Sequence, residues 1–353
     1  MRNQTVKKKV SIHDIARQLN VSSTTVSFVL NGKAEEKRIS DEMKKRILDH
    51  VAEVGYQPNQ VAKSLRTGKS KIIGMLVEDI SDPFFSGISR QVEESLYKLG
   101  YKIFFSSTEN NTEKTKELLN VLRERQVDGY IIAPPPGIES EIATLIDEGL
   151  PVVLFDRYFP NLNTINVVVD NFGGASLAIE HLHANGYRKI CLVTLDSEQS
   201  QMKDRLAGYC ASVKKHGLPS IVEKIAFRQT QDDTVKQIKD FLLEHKELDA
   251  VLFATNYLTI PGLEAIIDLE LTIPGDISVV GFDDNDHFSL FSPSITAIAQ
   301  PIEKLSERTV KKLISCLNRE KGALKTETEV LPTALIIRSS SVPITPTDQH
   351  KTP

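Results

Sequence analysis

Residues 11–32 read Ser11-Ile-His-Asp-Ile-Ala-Arg-Gln-Leu-Asn-Val-Ser-Ser-Thr-Thr-Val-Ser-Phe-Val-Leu-Asn-Gly32, and they carry start and stop signals for two short helices. Ser11 stands where an N-cap stands, with the acidic Asp14 three residues on, and Ile12, Ile15, Ala16 and Leu19 supply an apolar stripe at helical spacing. Asn20-Val21 makes a tight turn. Ser22 then caps a second helix that turns Val26, Val29 and Leu30 inward and stops at Asn31-Gly32. Two short helices joined by a turn of about three residues form a helix-turn-helix signature. Further on, Ser40 caps a third helix with Asp41 and Glu42 in its first turn, Ile47, Leu48 and Val51 on one face and Gly55 as its stop. The spacing therefore predicts a closed three-helix unit. Ser23, Thr24, Ser27 and Phe28 fall on the outward side or the N-terminal end of its second helix, where base edges are read in a major groove, and Ser22, Thr25 and Asn31 flank them. Short hydroxyl side chains allow close approach to bases and phosphates. An exposed phenylalanine on a basic module is costly without a partner, and a thymine methyl would cover it. The competing reading of the same residues is a solvated helix surface.

Past Tyr56-Gln-Pro-Asn59, residues 60–67 read as a short basic helical linker ahead of Gly68. From Ile72 the pattern changes to apolar runs near 72–77, 102–106, 129–133, 152–155, 166–169, 190–194, 250–253 and 278–282. Amphipathic helices near 87–99, 112–125, 139–148, 173–185, 201–216, 231–245 and 257–270 lie between them. Buried strands interleaved with helices give parallel sheets, and their number suits two doubly wound lobes better than one. The expected fold is thus a small all-α helix-turn-helix head on an α/β core of two doubly wound parallel-sheet lobes, with a polar, disordered tail.

The 353 residues suffice for two or three domains, and 40% hydrophobic with 25% charged residues is an ordinary globular composition. Val152-Val-Leu-Phe155 and Ile277-Ser-Val-Val280 are among the longest apolar stretches, far below the roughly 20 residues a membrane-spanning helix needs, so no membrane association is expected. The basic start, Met1 to Lys9, leads into no apolar run of a secretory signal, and the expected location is the cytoplasm, at the nucleoid. Cys191, Cys210 and Cys316 are too few and too widely spaced for a disulfide framework or zinc site and read as buried free thiols. The net charge of -4 hides an asymmetry of +8 over residues 1–71 and -12 over the remainder. A basic head on an acidic body points to a polyanionic partner for the head, against the plainer reading of a solvated charged surface.

Motifs for catalysis are missing. Thr67-Gly-Lys-Ser70 resembles the end of a phosphate-binding loop, but Lys63 stands where the first glycine of that loop belongs. Asp283-Asp-Asn-Asp-His287 is the one cluster that invites a metal, and it follows a strand, where polar turns are equally common. No catalytic residue, metal or cofactor is assigned.

Several motifs carry a family resemblance. Val10-Ser-Ile-His-Asp-Ile-Ala-Arg17, Val21-Ser-Ser-Thr-Thr-Val-Ser27, Val29-Leu-Asn-Gly32, Tyr56-Gln-Pro-Asn59 and Ala62-Lys-Ser-Leu-Arg66 closely resemble the lactose/galactose/purine repressor family. The likeness continues in order through Asp82-Pro-Phe-Phe85, Phe155-Asp-Arg157, Arg205-Leu-Ala-Gly208, Ala254-Thr-Asn256, Ile273-Pro-Gly-Asp-Ile277, Gly281-Phe-Asp-Asp284 and Gln300-Pro301. It implies a DNA-binding head over 1–57, a hinge helix and linker over 58–71, and a core over 72–340 resembling periplasmic sugar-binding proteins. Lobe 1 would take about 72–169 and 299–326, lobe 2 about 170–298 and 327–340, with a disordered tail at 341–353. By the same resemblance Leu65 wedges into the minor groove at the centre of a palindromic operator, Lys63 and Arg66 neutralise nearby phosphates, and Asn59 belongs to the DNA-contacting set. Phe84 and Phe85 would form an aromatic wall of an effector site, and Asp156, Arg205, Asn256 and Asp283 its polar contacts.

The implied function is a homodimeric, sequence-specific transcription regulator, a repressor, controlled by a small-molecule effector of the carbohydrate class, and not an enzyme. Two departures matter. The family often has arginine where Phe28 stands, and the C-terminus lacks the leucine heptad that would make a tetramer. A solute receptor for a transporter would share the core, but the basic head and the missing signal argue against it. An enzyme would need a nucleophile, cofactor loop or metal that the motifs do not supply.

Overall fold

The structure, a computed structural model, describes residues 10–56, 68–227, 229–318 and 326–343. The chain divides into two units, 1–70 and 71–353. In the first, α1 (Ile12–Leu19), α2 (Ser23–Leu30) and α3 (Asp41–Glu53) close around Ile15, Ala16, Leu19, Val26, Val29, Ala34 and Ile47. Each helix starts at the serine the sequence marks: Ser11, Ser22 and Ser40 accept from the backbone N–H of Asp14, Thr25 and Met43. At Ser11 the reciprocal bond from its own N–H to Asp14 completes a capping box. Asn20 takes the left-handed conformation, φ 54°, that ends α1 and turns the chain into α2. One expected face is rotated: Ile47 is buried with Met43, Val51 and Val54 packed near it, whereas Leu48 is exposed, since positions four apart share a helix face and adjacent positions do not.

The second unit holds two six-stranded sheets. The first lobe contains β1 (Ile72–Val77), α4 (Pro83–Lys98), β2 (Lys102–Ser107), α5 (Thr112–Glu124), β3 (Gly129–Ile132), α6 (Glu139–Asp147), β4 (Val152–Phe155) and β5 (Ile165–Val169). The second lobe contains α7 (Asn171–Ala184), β6 (Ile190–Leu195), α8 (Ser200–Lys215), β7 (Ile221–Ile225), α9 (Gln231–Glu244), β8 (Ala250–Phe253), α10 (Asn256–Asp268), β9 (Ser278–Phe282) and β10 (Thr296–Ala299). The chain then returns through α11 (Ile302–Leu317) and β11 (Glu327–Leu331) to the first lobe and ends its strands with β12 (Ala334–Ile336) on the second. The sheet orders are β11-β5-β4-β3-β1-β2 and β12-β10-β9-β8-β6-β7. Strands β1, β3 and β4 are apolar and buried almost throughout, as strands covered by helices on both faces must be. Packing across the second lobe is tight where α8 meets α7: a Cβ on Gly208 would lie 2.3 Å from the Phe172 carbonyl oxygen.

Several expectations are corrected. β11 pairs in parallel with β5, so residues 327–331 belong to the first lobe and the last crossing follows Leu331 rather than residue 326. β12 runs antiparallel to β10, so the second sheet is mixed. The tail starts later than expected. Ser340 and Ser341 are buried, Ser340 Oγ accepting from Thr296 N at 2.8 Å and donating to the Val279 carbonyl at 2.6 Å, because strand-edge carbonyls and amides there need partners. Of the cysteines only Cys191 is fully buried, while Cys210 and Cys316 are half-buried; all three are free thiols.

Candidate functional site

The strands of both lobes end at one cleft, the position at which parallel sheets present ligands. β1 leads to Glu78, β4 to Asp156 and Arg157, β8 to Thr255 and Asn256, and β9 to Asp283; Arg205 reaches in from α8. Asp156 and Asp283 both hold left-handed backbone, φ 66° and 72°, which strains a residue with a Cβ and aims each carboxylate into the cleft. All six residues expected to bind an effector, Phe84, Phe85, Asp156, Arg205, Asn256 and Asp283, line the same inner chamber of the cleft.

Each is fixed by a local cause. Asp82 caps α4, its Oδ1 accepting from Phe84 N at 2.9 Å, and Pro83 occupies the first helical position, so the two phenylalanines enter the lobe with the helix. Their rings meet edge to face at 5.0 Å and are mostly packed into the first lobe's core, with only part of each reaching the chamber. Arg205 is buried, donates to Asn171 Oδ1 at 2.9 Å and to the Ala254 carbonyl at 2.6 Å, stacks 3.7 Å over the Phe282 ring and lies 3.4 Å from Asp283 Oδ2. Gln300 Nε2 donates to the other Asp283 oxygen at 2.5 Å.

Arg157, only 2% exposed, organises the opposite wall. It donates to Glu78 Oε2 at 2.6 Å and to Asn110 Oδ1 at 3.0 Å, and its Nε lies 3.1 Å from Asp156 Oδ2 without the alignment of a hydrogen bond. Glu78 also accepts from Asn110 Nδ2 at 2.7 Å, which settles the orientation of that amide. Asn110 Oδ1 then accepts from Gln199 Nε2 at 3.1 Å, and Gln199 Oε1 faces Gln201 Nε2 at 3.5 Å, leaving Gln201 Oε1 buried with no partner. Gln300 Oε1 and Arg157 Nε are likewise unpartnered. The Gln199–Asn110 bond joins the lobes, as do Asn256 Nδ2 to Asp82 Oδ2 at 3.1 Å and Tyr158 N to Ser200 Oγ at 3.1 Å. Burial pushes the Asp156 carboxyl up to about 6, against the pull of Arg157 and Arg205. Burial and the neighbouring Asp283 charge push Asp82 to about 6 as well.

The sequence reading did not assign roles to Glu78, Asp82, Asn110, Arg157, Gln199, Gln201 or Gln300. Asp82, Arg157 and Gln300 stood inside quoted motifs, and Glu78 directly follows an all-apolar strand. Asn110, Gln199 and Gln201 offered no signal. The acidic run at 283–287 is divided among separate tasks: Asp284 forms a two-point pair with Arg338 at 2.8 Å, and Asn285 caps the turn that follows.

In the head, Ser23, Thr25 and Ser27 are half-buried and Ser22, Thr24 and Asn31 are exposed. Ser22 and Thr25 bond each other at 2.8 Å as part of the cap, and Asn31 Nδ2 donates to the Ser27 carbonyl at 2.6 Å. Phe28 is half-buried rather than exposed, with Lys37 Nζ 5.6 Å from its ring centroid, so the cost of a bare aromatic does not argue for a partner as strongly as the sequence suggested. Asn59, Lys63, Leu65 and Arg66 lie outside the described residues.

A helix-turn-helix head joined to a two-lobed core with a polar interlobe cleft defines a ligand-responsive transcription regulator. The chain matches the bacterial regulatory proteins of the lacI family over residues 11–59 and the periplasmic binding protein-like domain over residues 179–341. It is 32% identical over 335 residues to the transcriptional regulator RegA of Clostridium saccharobutylicum, covering 94% of this chain and 99% of that one. It is 31% identical to the ribose operon repressor of Halalkalibacterium halodurans, covering 94% and 97%. Among solved structures it is similar to the lac repressor dimer bound to operator and the anti-inducer ONPF, with a TM-score of 0.84 and 25% identity over 95% of this chain and 100% of that one. A LacI family regulator from Enterococcus faecium with bound ribose gives a TM-score of 0.69 and 27% identity over 78% and 100%. The chain belongs to the lacI family of transcription regulators.

Proposed function

We propose that this regulator is a homodimeric repressor that binds a palindromic operator through its head and changes its affinity when a carbohydrate fills the interlobe cleft. The cleft carries this reading: carboxylates, guanidiniums and amides from both lobes converge there, several with unpartnered polar atoms, beside the edges of two aromatic rings. Paired polar groups suit adjacent hydroxyls, and aromatic faces suit the C–H surface of a sugar. Arg205, Asp283, Asp156 and Asn256 are the proposed polar contacts, with Phe84 and Phe85 as the apolar wall. The proposed DNA-contacting set is Ser22, Ser23, Thr24, Thr25, Ser27, Phe28 and Asn31 on and around α2, with Asn59, Lys63, Leu65 and Arg66 beyond the described residues. The head would end near residue 57 and the linker near 71.

Support for the repressor assignment comes from relatives named as repressors, and for the carbohydrate from the ribose-bound neighbour. Such a protein works in the cytoplasm at the nucleoid. The proposed sign is induction, with ligand releasing DNA. The test is operator selection from a random duplex pool, followed by titration of sugars against the selected site. The expected result is a palindromic site whose affinity falls steeply with salt, by a log–log slope on the order of -5 to -9 for about 6–10 phosphate contacts, and one sugar that weakens it. A salt-independent interaction, or no sugar response, overturns the proposal.

A further inference from the structure

The cleft has two chambers of unequal size. The inner one, between Arg157, Arg205, Asp156 and Asp283, encloses about 30 Å³. That is room for about one water molecule, and a sugar ring enters only if the lobes part. Glu78, Asp82, Asn256 and Tyr257 are shared with an outer chamber of about 530 Å³, which falls in the range of roughly 300–1,000 Å³ typical of ligand sites. Its walls differ in character. Lobe 2 supplies Leu195, Ile225, Phe227, Leu258, Ile260 and Pro261, whereas lobe 1 supplies Asp79, Asp82 and Glu109.

Resting on the carbohydrate reading of the cleft, we infer that the effector is an uncharged ligand of at least two rings, a disaccharide or glycoside, whose outer ring occupies this second chamber. Sugar phosphates and sugar acids are excluded. Hydrogen-bond capacity supports the first half of this inference. Gln201 Oε1 and Gln300 Oε1 in the inner chamber and Gln229 Oε1 in the outer one are buried acceptors without donors. Both inner orientations follow from charged partners, Gln300 from its bond to Asp283 and Gln201 through the chain that begins at Glu78. The carboxylates add further acceptors. The chambers therefore call for a ligand rich in donors, which hydroxyl groups supply and an ionised phosphate or carboxylate does not.

Charge supports the second half. Among the described residues, six carboxylates line the two chambers against two arginines. Each arginine, which alone would form an anion receptor, already faces a carboxylate: Glu78 at 2.6 Å for Arg157 and Asp283 at 3.4 Å for Arg205. An anion would be desolvated beside Asp79 and Asp82 with no free cation to meet it. A neutral ring instead sets its hydroxyl edge toward the acidic wall and its C–H face toward Phe227 and Ile260.

The test uses the full-length protein in thermal-shift and calorimetric titrations at pH 7.5. The probes are maltose, cellobiose, trehalose, sucrose and gentiobiose, with glucose, fructose and ribose, and with glucose 6-phosphate and glucuronate as anions. A neutral disaccharide should bind at least about tenfold more tightly than either of its monosaccharides, a difference of about 1.4 kcal/mol, and neither anion should bind. Phe227→Ala and Asp79→Lys should each weaken the disaccharide more than its component monosaccharide. A monosaccharide that binds as tightly as every disaccharide, an anion that binds best, or outer-chamber variants that leave disaccharide affinity unchanged overturns the inference. If Asp283→Asn abolishes binding of that monosaccharide or anion, the cleft remains the effector site and only its assigned ligand class falls. Failure of every probe to bind overturns both.

Discussion

In the head, the polar side chains of the proposed recognition surface bond to residues three or four positions away, Ser22 to Thr25 and Asn31 to Ser27. In the cleft, Glu78, Asn110, Arg157 and Gln199 bond to partners 32 to 89 positions away. The head's surface therefore exists as soon as its short helices form, and it depends on a small apolar core to hold them. The cleft exists only when two lobes have folded and come together, and a ligand that alters their approach alters the site itself. A local surface suits a fixed reading task, and a long-range one suits a switch.

The sharpest challenge to this contrast is Arg157→Met. Removing the guanidinium leaves Glu78 buried and its charge uncompensated, which typically costs about 3–5 kcal/mol. Amide exchange in both lobes of the full chain should accelerate while exchange in α1–α3 stays the same. Equal acceleration in the head would show that the two regions are not independently built. The converse variant is Ile47→Ala, a fully buried side chain in the seven-residue core of the head, at a cost of about 2–5 kcal/mol. Operator binding should be lost while sugar-induced stabilisation of the core persists, measured by thermal shift on the same sample.

The same contrast explains what the sequence revealed. Ser11, Ser22 and Ser40 located the head's helices because a cap is a relation between residues three apart, and Asn20 and Gly55 marked the stops in the same local way. Buried strands such as β4 were legible as unbroken apolar runs. Edge strands were not: β7, β11 and β12 carry charged or exposed residues and are specified by a neighbouring strand rather than by their own pattern. Strand β10 and helix α11 were also absent from the sequence reading. Asp156, Arg205, Asn256 and Asp283 were found through motif resemblance, without which strand-end carboxylates have many uses. The Glu78–Asn110–Gln199–Gln201 chain was not found, since no spacing links residues brought together by tertiary folding.

Asp156 offers an intermediate effect. Its carboxyl is raised to about 6 by burial, so the folded core binds that proton more tightly than the unfolded chain, in which the group titrates near 3.9. Its contribution to stability is therefore greatest at low pH, diminishes as pH rises from about 4 to about 6, and is absent above that window. Asp82 acts in the same direction. Asp156→Asn should stabilise the unliganded core at pH 7 by up to about 3 kcal/mol and flatten part of this pH dependence, while removing a proposed effector contact. Denaturant titrations at pH 5 and 7 measure both consequences. A variant less stable than the parent at pH 7 would mean that Asp156 is held mainly by its arginines.

The smallest expected effect tests the head's side of the contrast. Phe28 is packed at its base and partly covered by Lys37, so replacing it should leave the three-helix core intact. If its outer edge reads a base, Phe28→Arg exchanges an apolar contact suited to a thymine methyl for a two-point donor suited to guanine, worth about 1–3 kcal/mol of discrimination at one position in each half-site. Non-specific affinity should stay the same or rise slightly with the added charge. Parallel operator selections with the parent and the variant provide the measurement, and they should differ at one symmetric pair of positions and agree elsewhere. Identical selected sites would remove Phe28 from the reading surface. Differences spread across the whole site would show that Phe28 helps set the angle of α2, and the local independence argued for the head would then fail at its most exposed helix.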